Sequence, residues 1–136
     1  MKKSRFLLPI LLLIAVLTGC AGKALPEGMD EEALLAAGRE VLLLAVDGDY
    51  EGVHAMLRED QRELYTPEDI RTMVLANVDG AGVYKQITDS MATGQTEQGE
   101  HFGIAVLYCE YAKDDVLFRV AFDSDMNLIG LSVKKQ

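Results

Sequence analysis

The sequence lacks the motifs by which many enzymes can be identified. It contains no Gly-x-Ser-x-Gly turn, no His-Glu-x-x-His motif, no phosphate-binding loop and no Cys-x-x-Cys pair. The segment Gly80-Ala81-Gly82 has neither the third glycine nor the preceding strand of a dinucleotide fingerprint, so we interpret it as a turn. No reaction can therefore be assigned from motifs alone.

Basic residues are also scarce. The chain has 13 Lys and Arg against 22 Asp and Glu, which gives a formal net charge of −9 at pH 7. An acidic surface repels nucleic-acid phosphates and anionic lipid headgroups. We therefore exclude nucleic acid as a partner, and we expect any membrane contact to come from an attached lipid rather than from a patch on the protein.

No apolar run near the N-terminus is long enough for a transmembrane helix. The run from Phe6 to Leu17 holds twelve residues, whereas a helix needs about 20 to span a bilayer. Basic residues precede this run, and the small residues Thr18 and Gly19 follow it. A basic start, a short apolar stretch and small residues before the cleavage site predict a secretory signal peptide over residues 1–19.

The segment Leu17-Thr18-Gly19-Cys20 resembles a bacterial lipobox, in which the cysteine is acylated and the chain is cut before it. The resemblance implies lipid attachment at Cys20 and a location in the bacterial cell envelope, on the outer side of the cytoplasmic membrane or on the outer membrane. Cleavage removes three bases and no acid, so the net charge changes from −9 to −12. Cys109 then has no intramolecular disulfide partner, and we expect it to be a small core residue.

The chain after Cys20 divides into a short linker and one domain. Residues 20–30 mix glycine, proline and small residues, which predicts a flexible tether with a reach of roughly 18 Å. Residues 31–136 are enough for a single domain with one core.

Three helices are predicted in the first half of this domain. The first begins at Glu31 and is stopped by Gly48, and the second runs from Asp49 to about Leu57. The third begins with Thr66-Pro67-Glu68-Asp69, where Thr66 is the N-cap and the proline occupies the first helical position.

After Gly82 the apolar period changes to two, which predicts about four antiparallel strands. The first strand starts with residues 83–92 and is followed by a polar turn over residues 94–100. The second spans residues 101–112, the third begins at residue 116, and the fourth covers residues 128–134. The predicted fold class is therefore α+β, with three helices packed on one face of the sheet.

Both faces of the predicted sheet are apolar. The face toward the helices is expected to carry Phe102, Ile104, Val106, Tyr108, Val116, Phe118, Val120 and Phe122. The second face would carry Ala105, Leu107, Cys109, Tyr111, Leu117 and Ala121. Sheets covered on one face normally carry polar residues on the other. Either a second copy or a protein partner covers this face, or the sheet curves around it.

Helices followed by a long antiparallel sheet resemble the cone-shaped fold of the nuclear-transport-factor-two-like superfamily. Residues 47–51 (DGDYE), and residues 120–125 (VAFDSD) leading to 128–131 (LIGL), are similar to segments of a domain-of-unknown-function family found on small bacterial lipoproteins. The superfamily includes ketosteroid isomerase and dehydratases as well as modules without chemistry. The resemblance therefore implies a fold, not an activity.

An isomerase-like site would need a carboxylate in an apolar pocket beside a tyrosine or a second acid. The available candidates for such a cavity are Glu110, Tyr84, Tyr108 and His54. Glu110 either points toward the helices or lies at the solvated rim of the sheet. No catalytic residue, cofactor or metal site is assigned, because the two histidines lie on different elements and no ligand spacing supports a metal.

Residues 123–127 provide oxygens at three positions of a calcium loop. Leu128 and Lys134, however, stand where an EF-hand needs glycine and glutamate. We therefore predict a hairpin turn there.

Two functions remain open from the sequence. The leading hypothesis is an envelope lipoprotein without evident catalytic activity, whose domain binds a protein partner or a small ligand. The alternative is an isomerase- or dehydratase-like enzyme with an acid–base site in the cavity of the cone. A pocket that buries Glu110 beside a tyrosine hydroxyl would favour the enzyme.

Overall fold

A computed structural model describes residues 23–136, in which the helices precede a single sheet. The helices are α1 (Glu31–Val46), α2 (Tyr50–Met56), α3 (Glu59–Leu64) and α4 (Pro67–Val78). The strands are β1 (Tyr84–Glu97), β2 (Glu100–Tyr111), β3 (Asp115–Phe122) and β4 (Leu128–Lys135). The sheet is antiparallel with strand order β1-β2-β3-β4, which confirms the α+β class. Within residues 23–136, no helix combines the length and the apolar character needed to cross a membrane.

The helix starts follow the capping residues that the sequence indicated. The Asp49 carboxylate accepts a hydrogen bond from the Gly52 N–H at the start of α2. At α4, the Thr66 hydroxyl accepts from the Asp69 N–H while the Asp69 carboxylate accepts from the Thr66 N–H, which completes a capping box. Gly48 has a φ of 80°, which allows the chain to leave α1 sharply.

The prediction of three helices was wrong, because the described residues form four. The additional helix is α3, a six-residue segment with the sequence EDQREL. None of its residues is buried. It therefore shows no apolar stripe, and helical periodicity could not reveal it.

The predicted turn over residues 94–100 was also too long. β1 continues to Glu97, Gly94 pairs with Gly103, and only Gln98 and Gly99 connect β1 to β2. Both connecting residues have positive φ, 49° and 82°, which suits a tight two-residue hairpin loop. β1 lies at the edge of the sheet, where most of its side chains are not buried and can be polar. Its polar residues therefore resembled a loop in the sequence.

The predicted phase of β2 was wrong. Ala105, Leu107 and Cys109 face the helices instead, because they pair with Val120, Phe118 and Val116 of β3 and join them in one core. The burial of Phe118 in this core confirms the phase predicted for β3. A Cβ atom at Gly38 of α1 would lie 2.5 Å from the Ala105 Cβ, so α1 approaches β2 too closely for larger side chains at this point.

The second face of the sheet is apolar, as expected, but it is built from the other residues of β2. Its cluster consists of Phe102, Ile104, Val106, Leu117, Ala121 and Ile129. Met91 pairs with Val106 on this face, and Tyr108 continues it along β2, with 42% and 37% of their surfaces exposed. Val106 also pairs with Arg119 of the neighbouring strand β3. Arg119 therefore brings a positive charge to the same face of the sheet.

Where the sequence indicated a flexible tether, the structure places residues 23–29 against the domain. The Gly94 N–H donates to the Lys23 carbonyl at 3.0 Å, and the Lys23 N–H donates to the Thr93 hydroxyl at 3.2 Å. Leu25 and Met29 pack against the core. The predicted signal peptide and the lipidation site Cys20 lie outside the described residues.

Candidate functional site

A cavity of about 520 Å³ lies between the helices and β4. It is lined by Val53, Leu57, Gln61, Leu64, Tyr65, Asp69, Ile70, Met73, Leu128, Ile129, Gly130 and Leu131. Its volume falls within the range of about 300–1,000 Å³ that is common for ligand pockets. Most of the lining side chains are apolar, which suits an apolar ligand or side chain. We call this site the β4 cavity.

Short contacts between α2 and α3 hold the helical wall of the β4 cavity. The His54 Nε2 atom lies 2.8 Å from the Tyr65 carbonyl oxygen, which joins α2 to the end of α3. The Arg62 guanidinium donates to the Leu57 carbonyl oxygen at 2.6 Å. These contacts fix α3 although none of its side chains is buried, and they place Leu64 at the mouth of the cavity.

The polar side chains of the β4 cavity are Gln61, Tyr65 and Asp69. The Asp69 carboxylate already accepts the Thr66 N–H in the capping box of α4. Half of the Tyr65 surface is exposed to solvent. The cavity therefore combines apolar walls with a few polar groups, an arrangement that suits binding and orientation of a ligand.

A cluster of charged residues braces the same end of the domain. The Arg58 guanidinium forms ion pairs with Asp60 at 2.8 Å, with Glu100 at 2.6 Å and with the buried Asp123 at 3.2 Å. Hydrogen bonds to Asp60 and Glu100 raise the pKa of Arg58 above its ordinary value. The cluster ties the start of α3 to the β1–β2 hairpin and to the turn between β3 and β4.

Asp123 is committed to the turn that follows β3. Its Oδ1 atom accepts the backbone N–H groups of Asp125 at 3.0 Å and of Asn127 at 2.8 Å. Burial opposes ionisation of the Asp123 carboxyl, but hydrogen bonds from Asn127 and Arg58 outweigh it and lower its pKa. The carboxylate therefore closes the turn between β3 and β4. Within residues 23–136, no three His, Cys, Asp or Glu side chains are grouped to hold a metal ion.

The structure does not bring the four candidate residues of the isomerase-like cavity together. Glu110 and Tyr108 lie on the face of β2 away from the helices, where the Gln86 side chain donates to Glu110 at 2.8 Å. Tyr84 packs edge-to-face against Tyr111 at the opposite face, with ring centroids 5.6 Å apart. Burial raises the pKa of Tyr84.

His54, the fourth candidate, lies in α2 and contacts α3 through its ring. None of the four lines the β4 cavity. Sequence reasoning missed this cavity because its walls come from four separate elements. One signal was available, because Leu64 and Tyr65 place apolar side chains directly after a polar segment and before the N-cap of α4.

Comparisons with known proteins match a family of unknown function and a solved structure. Residues 39–131 match the protein family described as "Protein of unknown function (DUF3887)", and this range includes the whole β4 cavity. The solved structure described as "NMR structure of protein from Ruminococcus gnavus ATCC 29149" is similar, with a TM-score of 0.69 and 26% sequence identity. The similarity covers 82% of this chain and 96% of that chain. No curated protein matches the chain.

Proposed function

Since the chain belongs to the DUF3887 family of proteins of unknown function, we propose a role for it from its own geometry. It is an envelope lipoprotein whose α+β domain binds a protein partner or a small ligand. The observation that carries this proposal is the β4 cavity of about 520 Å³, with apolar walls and few polar groups. Leu64 at its mouth is 68% exposed, so its side chain is accessible to a ligand that enters the cavity.

The binding test uses the exposure of Leu64. Leu64→Glu places a charge at the mouth of the β4 cavity without removing a buried side chain, and Leu75→Glu changes a residue of α4 that does not line it. A library of small apolar fragments is added to the isotope-labelled full chain, and NMR shift changes are mapped. We expect shifts around Leu64, Met73 and Leu131, lost in Leu64→Glu and kept in Leu75→Glu. If the fragments caused the same shift changes in Leu64→Glu as in the wild type, the proposal would be contradicted.

The membrane anchor is the second part of the proposal. Cys20 is the acylated residue, and only Ala21 and Gly22 separate it from Lys23, whose backbone is bonded to β1. Three Cα–Cα steps span at most about 11 Å. A lipid on Cys20 therefore holds the domain directly at the membrane surface, on the outer side of the cytoplasmic membrane or on the outer membrane.

The anchor is tested by metabolic labelling with a palmitate analogue. The wild-type chain should incorporate the label and the Cys20→Ser chain should not, because serine lacks the thiol that is acylated. Equal labelling of both chains would exclude Cys20 as the attachment site.

We further propose that the domain belongs to the nuclear-transport-factor-two-like superfamily. Helices that precede one antiparallel sheet and pack on one of its faces support this assignment. An isomerase- or dehydratase-like activity of that superfamily has less support, because Glu110 and Tyr84 lie at opposite faces of the sheet. An experimental structure with a flat, uncurved sheet would contradict the superfamily assignment.

A second candidate interaction is a homodimer through the second face of the sheet. The apolar cluster around Ile104 and Val106 supports it, and Arg119 and Glu110 bring opposite charges to the same face. Such a face can be self-complementary about a twofold axis. A protein partner of another kind on this face is the alternative outcome.

Sedimentation of the full chain in detergent tests the homodimer. We expect a dimer that Met91→Asp combined with Leu117→Asp converts to a monomer, because both side chains lie on the second face. Leu107 is unsuitable for this test, since it is buried on the helix side. A wild-type chain that stays monomeric at high concentration would leave only a partner protein for this face.

A further inference from the structure

The edge of β4 is already paired at one point next to the β4 cavity. β4 is an outer strand of the sheet, and Leu57 pairs with Leu128 in parallel orientation. The Arg58 N–H donates to the Leu128 carbonyl oxygen at 2.8 Å. The chain therefore begins a fifth strand on this edge, and then turns away into α3 at residue 59.

Beyond Leu128 the edge of β4 continues with outward-facing backbone groups. The Gln136 N–H donates to the Asp115 carbonyl oxygen, so the backbone of Gln136 faces β3. Backbone groups alternate in direction along a strand, which turns the N–H and C=O groups of Leu131 and Val133 away from β3. Among residues 23–136, no backbone hydrogen bond from a turn, loop or cap reaches these groups. Leu131 is partly exposed, whereas Val133 is only 5% exposed, so Leu131 is the more accessible of the two.

Leu131 also lines the β4 cavity, so an apolar recess lies beside the outward-facing backbone. A free strand edge is a template for pairing with another extended chain. Peptide recognition by strand addition uses this arrangement, because main-chain hydrogen bonds give affinity and pockets for alternate side chains give specificity. A small apolar ligand would use the recess alone, whereas an extended peptide would also pair with the outward-facing backbone of β4.

We infer that the β4 cavity binds an extended peptide, which adds as a strand to the edge of β4 beyond Leu128 and places an apolar side chain in the cavity. This inference rests on the proposed binding function of the cavity. The net charge of −12 after removal of residues 1–19 favours a peptide with lysine or arginine beside its apolar anchor. The peptide is a segment of a partner protein, presented in extended form.

The experiment starts with a displayed library of random dodecapeptides and the full lipidated chain in nanodiscs. One selected peptide is labelled with fluorescein and resynthesised with a single N-methyl group at each amide in turn. We expect a loss of affinity of about tenfold or more at alternate amides, because only every second N–H faces β4. The intervening amides should tolerate methylation.

Two protein variants locate the site of the same peptide. Leu64→Glu should weaken binding by about tenfold or more, whereas Leu75→Glu should leave it unchanged, since Leu75 does not line the cavity. Circular dichroism of both variants confirms that they are folded. A dansylated fatty acid serves as the competing small apolar probe.

The possible outcomes separate the inference from the proposed function. A period of two in the methylation series, together with dependence on Leu64, supports the inference. Leu64-dependent binding without that period, or Leu64-dependent binding of the fatty acid with no peptide selected, overturns the strand-addition inference and leaves the binding function standing. Absence of any Leu64-dependent binding overturns both.

Discussion

At the scale of single residues, burial and hydrogen bonding decide what two chemically capable side chains do. Cys109 is buried in the core with no described cysteine near it, and burial raises the pKa of its thiol to about 12. Asp123 is buried with its carboxylate bonded to Arg58 and to the turn after β3. The Cys109 thiol is therefore held neutral and the Asp123 carboxyl is held ionised. Both side chains stabilise the structure of the domain.

Cys109 should be inert toward thiol reagents in the folded protein. A pKa of about 12 leaves almost no thiolate at neutral pH, and the thiolate is the reactive form. With Cys20 acylated, Ellman's reagent should give no rapid signal from the native full chain and one thiol per chain after denaturation. Stoichiometric labelling of the native chain within the mixing time would contradict the burial of Cys109.

Asp123→Asn should lower the free energy of unfolding at pH 7 by about 1–3 kcal/mol, because the amide cannot pair with Arg58 as a charge. The lowered pKa means that the ionised carboxylate stabilises the fold fully above the unfolded-state pKa of about 3.9. That contribution is lost as the pH falls through the folded-state pKa. Denaturant unfolding across this pH range should show the two chains converge in acid.

The matched control for this prediction is Asp125→Asn, because Asp125 is exposed in the same turn. It should change stability little at any pH. If both variants behaved alike, the Arg58–Asp123 pair would not be the source of the effect.

At the scale of secondary-structure elements, the packing of α1 on β2 determines which side chains form the core. Gly38 of α1 lies against Ala105 of β2, and this close approach leaves no room for a larger side chain at position 105 on the helix side. Phe102, Ile104 and Val106 of β2 occupy the second face. The strand order puts β4 at the edge of the sheet, where α2, α3 and α4 form the wall of the β4 cavity.

Gly38→Ala should destabilise the protein, although alanine normally favours a helix by about 1 kcal/mol over glycine. The added Cβ would lie 2.5 Å from the Ala105 Cβ, and relief of such a contact costs typically about 1–3 kcal/mol. Denaturant unfolding of Gly38→Ala, of Ala105→Gly and of the double variant gives the coupling between the two positions. The double variant should be more stable than the sum of the single effects predicts. Simple additivity would show that α1 and β2 do not meet there.

At the scale of the whole molecule, residues 23–29 connect the domain to its proposed anchor through contacts with the sheet. The His101 Nε2 atom lies 3.0 Å from the Ala24 carbonyl oxygen, and a Cβ at Gly94 would overlap the same carbonyl oxygen. In the proposed anchored form, this attachment would shorten the free linker between the lipid and the domain and would hold the domain close to the membrane.

Gly94→Ala should release residues 23–29 from the sheet and expose the peptide bond after Lys23 to trypsin. In the wild type the Lys23 carbonyl is hydrogen-bonded to the Gly94 N–H, so cleavage needs local opening. We expect cleavage after Lys23 to be several-fold faster in Gly94→Ala, as followed by mass spectrometry. The control is Thr96→Ala, a change at an exposed residue of the same strand. Trypsin should cleave this variant after Lys23 at the wild-type rate. Equal rates in Gly94→Ala and the wild type would contradict the attachment.

The sequence by itself determined the elements whose signals are local. Capping residues predicted the starts of α2 and α4, and the period of two predicted the sheet and the burial of Phe118. These features depend on neighbours within a few positions of one another. They could be predicted because hydrogen bonds at a helix end and alternation along a strand are set by the residues themselves.

Only the tertiary structure decided the phase of β2, the existence of α3 and the position of the β4 cavity. Residues 102–107 are buried on both faces of β2, so alternation could not show which face meets the helices. α3 has no buried side, and contacts with α2 hold it in place. The β4 cavity is lined by side chains from α2, α3, α4 and β4, which lie up to 78 positions apart in the sequence, from Val53 to Leu131. No local sequence pattern can predict contacts between residues so far apart.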